Sequence, residues 1–122
     1  MGKLMLVDDN LVVVDLLKTL LEMEGFEIAT NPQGDILKAL QTEQPDLILL
    51  DVFLKDTIGR DVDGFQFLHT IRKHSDFHNT KVIMSSGMDF KIESKMRGAD
   101  AFILKPYMPE DLIHLIKHVL AE

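Results

Sequence analysis

Short apolar runs alternate five times with stretches whose apolar residues recur at helical spacing. Lys3–Val7 is a mostly apolar run that stops abruptly at Asp8, Asp9 and Asn10. A polar residue there can cap the helix that follows. Val13, Val14, Leu17, Leu20 and Leu21 then lie on one helical face, and Gly25 supplies a stop. Glu27–Thr30 reads as a short strand closed by Asn31-Pro32, and Ile36, Leu37 and Leu40 mark a second helix. Leu47–Leu50 is an uninterrupted apolar run, which predicts a strand buried on both faces of a parallel sheet, ending at Asp51. A polar stretch follows, then a third helix marked by Phe65, Phe67, Leu68 and Ile71. Lys81–Ser85 predicts the fourth strand. Ile92 and Met96 mark a short fourth helix that Gly98 ends, and Ala101–Leu104 predicts the fifth strand. The last helix opens with Pro109, favoured in a first turn, and carries the stripe Leu112, Ile113, Ile116, Val119 and Leu120.

Five strand–helix units imply an α/β, doubly wound parallel sheet of five strands with five helices on its two faces. In such sheets ligands bind outside the carboxyl ends of the strands, near the point where strand order reverses. That rule gathers the polar residues. Asp8 and Asp9 follow the first strand, Asp51 the third, Ser86 the fourth and Lys105 the fifth. One edge therefore receives three carboxylates, a hydroxyl and an ammonium.

Composition narrows the picture. The 122 residues suit one domain, read here as residues 1–122, and 46% are apolar, enough for one sizeable core. The formal net charge of −7 disfavours direct binding to nucleic acid. The chain has no cysteine, which excludes disulfides and thiolate metal sites. No apolar run approaches a membrane span and no signal peptide opens the chain, so a cytoplasmic location is expected.

Three carboxylates at one place repel each other, and a cation would join them. All-oxygen ligation points to Mg²⁺, Mn²⁺ or Ca²⁺, and Mg²⁺ suits one or two carboxylates combined with phosphate oxygens. A carboxylate can also attack phosphorus to give an aspartyl phosphate, with a metal neutralising the transferred charge. Lys105 suits one phosphate oxygen and the Ser86 hydroxyl another.

LMLVDDN at Leu4–Asn10, PDLILLD at Pro45–Asp51, DG at Asp63–Gly64, VIMSSG at Val82–Gly87 and GADAFILKP at Gly98–Pro106 follow one another in order. On these pieces the chain resembles the response-regulator receiver family of two-component phosphorelays over essentially its whole length. The resemblance implies a flavodoxin-like fold with strand order 2-1-3-4-5 and a phosphoacceptor at Asp51. It implies Mg²⁺ held by Asp9 directly, by Asp8 through water, by Asp51, and by the backbone carbonyl of Phe53. Ser86 resembles the switch hydroxyl, Phe102 the switch aromatic and Lys105 the phosphate-binding lysine. The Lys105–Pro106 bond resembles one that is typically cis. Phe53 and Met88 resemble the two positions flanking the path of the hydrolytic water. The implied partners are a histidine kinase or phosphotransfer protein and an output domain or target. A homodimer through the fourth helix, fifth strand and fifth helix is a further expectation. The implied role is a phosphoacceptor that assists its own chemistry rather than an enzyme.

The chain departs from the family in one segment. Leu54 stands at the usual methionine, the proline after it is missing, and Lys55–Val62 makes a longer loop. Asp56, Asp61 and Asp63 in that region fit a solvated turn better than a ligand role. Ser85 competes with Ser86 for the switch position, and Phe102 can equally be core. His114 and His118 have chelating spacing but lie off the apolar stripe, as solvated residues do. Met84 and Met96 read as core filler. Three other functions remain in view. An aspartate-nucleophile phosphatase of the haloacid dehalogenase type needs an acid two residues after the nucleophile, where Phe53 stands. A flavodoxin-like flavin carrier needs a phosphate loop in place of Asp8-Asp9-Asn10. A pseudo-receiver, a pure binding module, usually loses an acidic residue or the lysine, and this chain keeps them.

Overall fold

A computed structural model describes residues 2–30, 35–55 and 58–122. Asn31-Pro32 and Asp56 lie outside the described residues. Five parallel strands form the main sheet: β1 (Lys3–Val7), β2 (Glu27–Thr30), β3 (Leu47–Asp51), β6 (Lys81–Ser86) and β7 (Ala101–Leu104). Their order is β2-β1-β3-β6-β7, the expected 2-1-3-4-5 once an additional hairpin is counted. That hairpin pairs β4 (Phe53–Lys55) antiparallel with β5 (Asp61–Asp63), in the segment read from sequence as a plain loop. The helices are α1 (Leu11–Met23), α2 (Ile36–Glu43), α3 (Gly64–Lys73), α4 (Lys91–Met96) and α5 (Pro109–Leu120).

Strand pleating divides the core into two layers, because successive side chains point to opposite faces. Met5, Val7, Ile48, Leu50, Val82 and Met84 face α2 and α3, where they meet Ile36, Leu40, Phe65, Leu68 and Ile71. Leu4, Leu6, Leu47, Leu49 and Ile83 face α1 and α5, against Val14, Leu17, Leu21, Leu112, Ile116 and Val119. Burial on both sides explains why the strands read as apolar runs rather than alternating ones.

Local chemistry starts and stops the helices. The Asn10 side chain accepts from the Val13 amide at 3.3 Å, Asp35 caps α2 and Asp63 caps α3. Gly25 and Gly98 take positive φ after α1 and α4. α4 departs from its sequence pattern. Ile92 and Met96 are 78% and 83% exposed, so Met96 is not core, while Met84 is fully buried. The buried residue of α4 is Ser94.

The hairpin is anchored by Leu54, which is buried in the core, with Val62 packed beside it. Lys55 and Asp61 form an ion pair at the end of the ladder that leads into the turn. At its base the Gly64 amide donates to the Val52 carbonyl at 2.7 Å. A Cβ on Gly64 would overlap the Asp51 carbonyl oxygen, so glycine lets the start of α3 press against the end of β3.

Candidate functional site

β1, β3 and β7 all point their carboxyl ends at one place. Asp8 and Asp9 leave β1, Asp51 closes β3, and Lys105 follows β7. The carboxylate oxygens of Asp8, Asp9 and Asp51 come within 4.8 Å of one another. Lys105 Nζ lies 2.9 Å from Asp8 Oδ2 and 3.1 Å from Asp51 Oδ2, spanning two of the three. Asp8 Oδ1 also accepts the Asn10 amide at 2.9 Å. The Lys105–Pro106 bond is cis.

Electrostatics mark this as a strained cluster of charge. Burial raises the Asp51 carboxyl from 3.8 to about 6. Lys105 opposes the rise, and the Asp8 and Asp9 charges add to it. Burial works against the Lys105 ammonium, yet its hydrogen bond to Asp8 and the charges of Asp51 and Asp8 outweigh that, so its pKa rises. Asp8, Asp9 and Asp51 outnumber the Lys105 ammonium that bonds two of them, and Lys55, a cation near Asp9, is paired with Asp61. An oxygen-only donor set with that deficit fits a hard divalent cation.

Phe53 stands opposite Asp63 in the β4–β5 ladder. The hydrogen bond from Gly64 to Val52 makes this the non-hydrogen-bonded kind of pair. The Phe53 carbonyl therefore faces away from β5 and stays free of the ladder, while its ring is 58% exposed. Ser86 ends β6 and is buried, and its Oγ accepts the Met88 amide at 3.1 Å. No hydrogen bond joins that hydroxyl to Asp51 or Lys105 among the described residues. Ser85, also buried, lies opposite Asp51 in the ladder and accepts the Val52 amide on its carbonyl. Phe102 is half-buried beside Met84. Asp61 and Asp63 lie in β5 rather than in a turn, Asp61 paired with Lys55 and Asp63 capping α3. His114 and His118 are exposed.

Two neighbours escaped the reading of the sequence. Tyr107 is half-buried beside the site, and burial raises its hydroxyl to about 12, with Lys105, Asp8 and Asp51 as its charged surroundings. Its place two residues after Lys105 was the available signal. Phe90, just before α4, touches Phe53 edge-on with ring centres 5.8 Å apart. No local pattern announces that contact.

Residues 4–117 match the family model described as the response regulator receiver domain. The chain belongs to the response regulator receiver family. It is 38% identical to the transcriptional regulatory protein CpxR homolog of Haemophilus influenzae, over 98% of this chain and 51% of that protein. The chain spans about half the length of the curated relatives it matches. Among solved structures it resembles the receiver domain of NtrX from Brucella abortus, with 30% identity, a TM-score of 0.83, and 97% and 98% of the two chains covered. It likewise resembles the chemotaxis response regulator CheY4 of Vibrio cholerae, with 28% identity, a TM-score of 0.83, and 98% of each chain covered. No helix among the described residues is long and apolar enough to cross a membrane.

Proposed function

We propose that this receiver accepts a phosphoryl group on Asp51 from a phosphohistidine of a histidine kinase or phosphotransfer protein. The observation that carries the proposal is the convergence of Asp8, Asp9 and Asp51 on one point, with Lys105 bonded to two of them. An Asp51 oxygen attacks phosphorus, the nitrogen–phosphorus bond breaks, and the departing imidazole keeps the bond electrons and its place on the donor. Asp8, Asp9, Asp51 and the Phe53 carbonyl would hold Mg²⁺. When bound, Mg²⁺ neutralises charge on the transferred oxygens. Lys105 leaves its carboxylate partners to meet a phosphoryl oxygen, as a mobile point charge can.

Ser86 and Phe102 form the switch in this reading. The Ser86 hydroxyl gives up its bond from Met88 to reach the phosphoryl group, and Phe102 repacks beside it. Two arrangements of one fold exchange weight. The responding face is α4–β7–α5, where Ile92, Met96, Leu104 and Met108 are exposed apolar residues suited to an output domain, a target protein or a second copy. Direct contact with nucleic acid is disfavoured by the net charge of −7. We read the protein as a cytoplasmic phosphoacceptor that assists its own modification, and not as an enzyme with a separate substrate. The phosphatase alternative fails on Phe53, an apolar ring where a proton donor is required.

The test is incubation with Mg²⁺ and acetyl phosphate, with intact mass as the readout. One added phosphoryl group, labile to hydroxylamine and absent in Asp51→Asn, is expected. An adduct of equal extent in Asp51→Asn sinks the assignment, and no adduct in the parent favours a pure binding module.

A further inference from the structure

Phe90 sits between two other aromatic rings. It meets Phe53 of the hairpin at 5.8 Å and 66°, and Phe65 of α3 at 5.8 Å and 87°, both edge-to-face. Such contacts are directional, because the positive ring edge seeks the negative face. Phe65 is the fixed member, 5% exposed within the core. Phe53 is the adjustable one, exposed on a hairpin whose only deeply buried anchor among the described residues is Leu54. The three rings line a cleft of about 620 Å³ that reaches Asp9 on one side and Glu93 and Arg97 of α4 on the other.

Apart from the Lys91 amide, which donates to Asp89 Oδ1 at 3.0 Å, α4 has little local chemistry to hold its start. It is six residues long, and its N-cap makes no side-chain hydrogen bond. Its buried residue, Ser94, keeps an Oγ without a hydrogen-bond partner among the described residues. Its large apolar side chains, Ile92 and Met96, point to solvent. A helix this short is not stable through its own backbone bonds. Its first such bond runs from the Ser94 amide to the Phe90 carbonyl at 2.8 Å. Phe90 is therefore both the origin of the helix and the ring that docks it. At the other end the Arg97 guanidinium stacks 4.8 Å over Phe65 and pairs with Glu93 at 3.0 Å, so both ends of α4 refer to the same fixed ring.

We propose that Phe90, wedged between Phe53 and Phe65, transmits the occupancy of the Asp51 site to the N-terminus of α4. The proposal rests on the receiver reading, since it makes the Phe53 carbonyl part of the site. Turning that carbonyl toward a cation rotates the Phe53 backbone and carries its ring along. The Phe90 ring follows, because Phe65 cannot yield, and the first turn of α4 shifts with it. This route runs through the hairpin and α4. Its carriers are the rings of Phe53, Phe90 and Phe65 rather than the Ser86 hydroxyl and Phe102, although Phe90 follows Ser86 by four residues and packs, like Phe102, against the same core layer.

The experiment is a Mg²⁺ titration of the full chain followed by amide NMR shifts. Asp9 and Val52 report the site, and Lys91–Met96 report α4. In the parent, both groups should move with one midpoint. In Phe90→Ala the site amides should keep that midpoint within about twofold, while the α4 shifts fall by more than half. Phe90→Leu, which keeps much of the apolar bulk and removes the ring edge, guards against a folding defect and should show the same loss. Phe53→Leu, which retains the carbonyl, should also reduce the α4 response, and combining it with Phe90→Leu should add no further loss. Parent-sized α4 shifts in both Phe90 variants overturn the relay and leave the receiver reading intact. Site amides that ignore Mg²⁺ in the parent overturn the receiver reading, and the relay with it.

Discussion

Asp51→Asn should stabilise the metal-free protein at neutral pH. The Asp51 carboxyl is 7% exposed, and burial raises it from 3.8 to about 6 despite Lys105. A raised carboxyl means that the native state binds more protons than the unfolded chain between those two values, so stability falls as pH rises through the interval. The loss is nearly complete about one pH unit above the native value. At about 1.4 kcal/mol per pH unit, ionised Asp51 costs the native state on the order of 3 kcal/mol. Asparagine has the shape of the neutral carboxyl and avoids that cost, while Lys105 keeps its 2.9 Å bond to Asp8. The figure is an upper one, because Lys105 loses one of two charged partners. For a chain of this size it corresponds to a thermal midpoint higher by roughly 10 °C. The assay is urea unfolding of parent and variant with a chelator present, at several pH values from 4 to 8. The advantage should be largest above pH 6 and mostly gone by pH 4. A variant no more stable than the parent at pH 7, or an advantage unchanged at pH 4, would refute the argument that Asp51 is held ionised against its surroundings.

Two further predictions follow from the same charges and from the rings around them. Millimolar Mg²⁺ should raise the thermal midpoint of the parent, by about 2.7 kcal/mol of stability at a hundredfold excess over Kd. Asp9→Ala should remove most of that gain, and a parent midpoint indifferent to Mg²⁺ in calorimetry would contradict the site. Loss of the phosphoryl group should be slow, because Phe53 and Met88 are exposed apolar side chains that cannot orient a water. Phe53→Asn combined with Met88→Glu should hydrolyse about tenfold faster or more, equal to roughly 1.4 kcal/mol of barrier. Equal decay of intact phosphoprotein mass in parent and double variant would remove the argument from these two side chains.

Much of this protein was legible along the chain because a parallel sheet announces itself locally. Each inner strand is an apolar run that must end where the sheet meets water, so the polar residues at those ends mark the site edge. Asp8, Asp9, Asp51, Ser86 and Lys105 were identifiable for that reason. What the chain did not disclose was decided across long sequence separations. The β4–β5 hairpin has strands of three residues each, too short for alternation to stand out, and it forms because Leu54 finds space in a core built by other elements. α4 turns Ser94 inward and Ile92 and Met96 outward, against its own apolar pattern. The surrounding sheet and α3, not six helical residues, set its orientation. Residue types and their order along the strands were enough to name the charged groups. Only the folded chain could bring Lys105 onto carboxylates 97 and 54 residues earlier, and set Phe90 against Phe53, because those contacts depend on strand order and packing that no local stretch encodes.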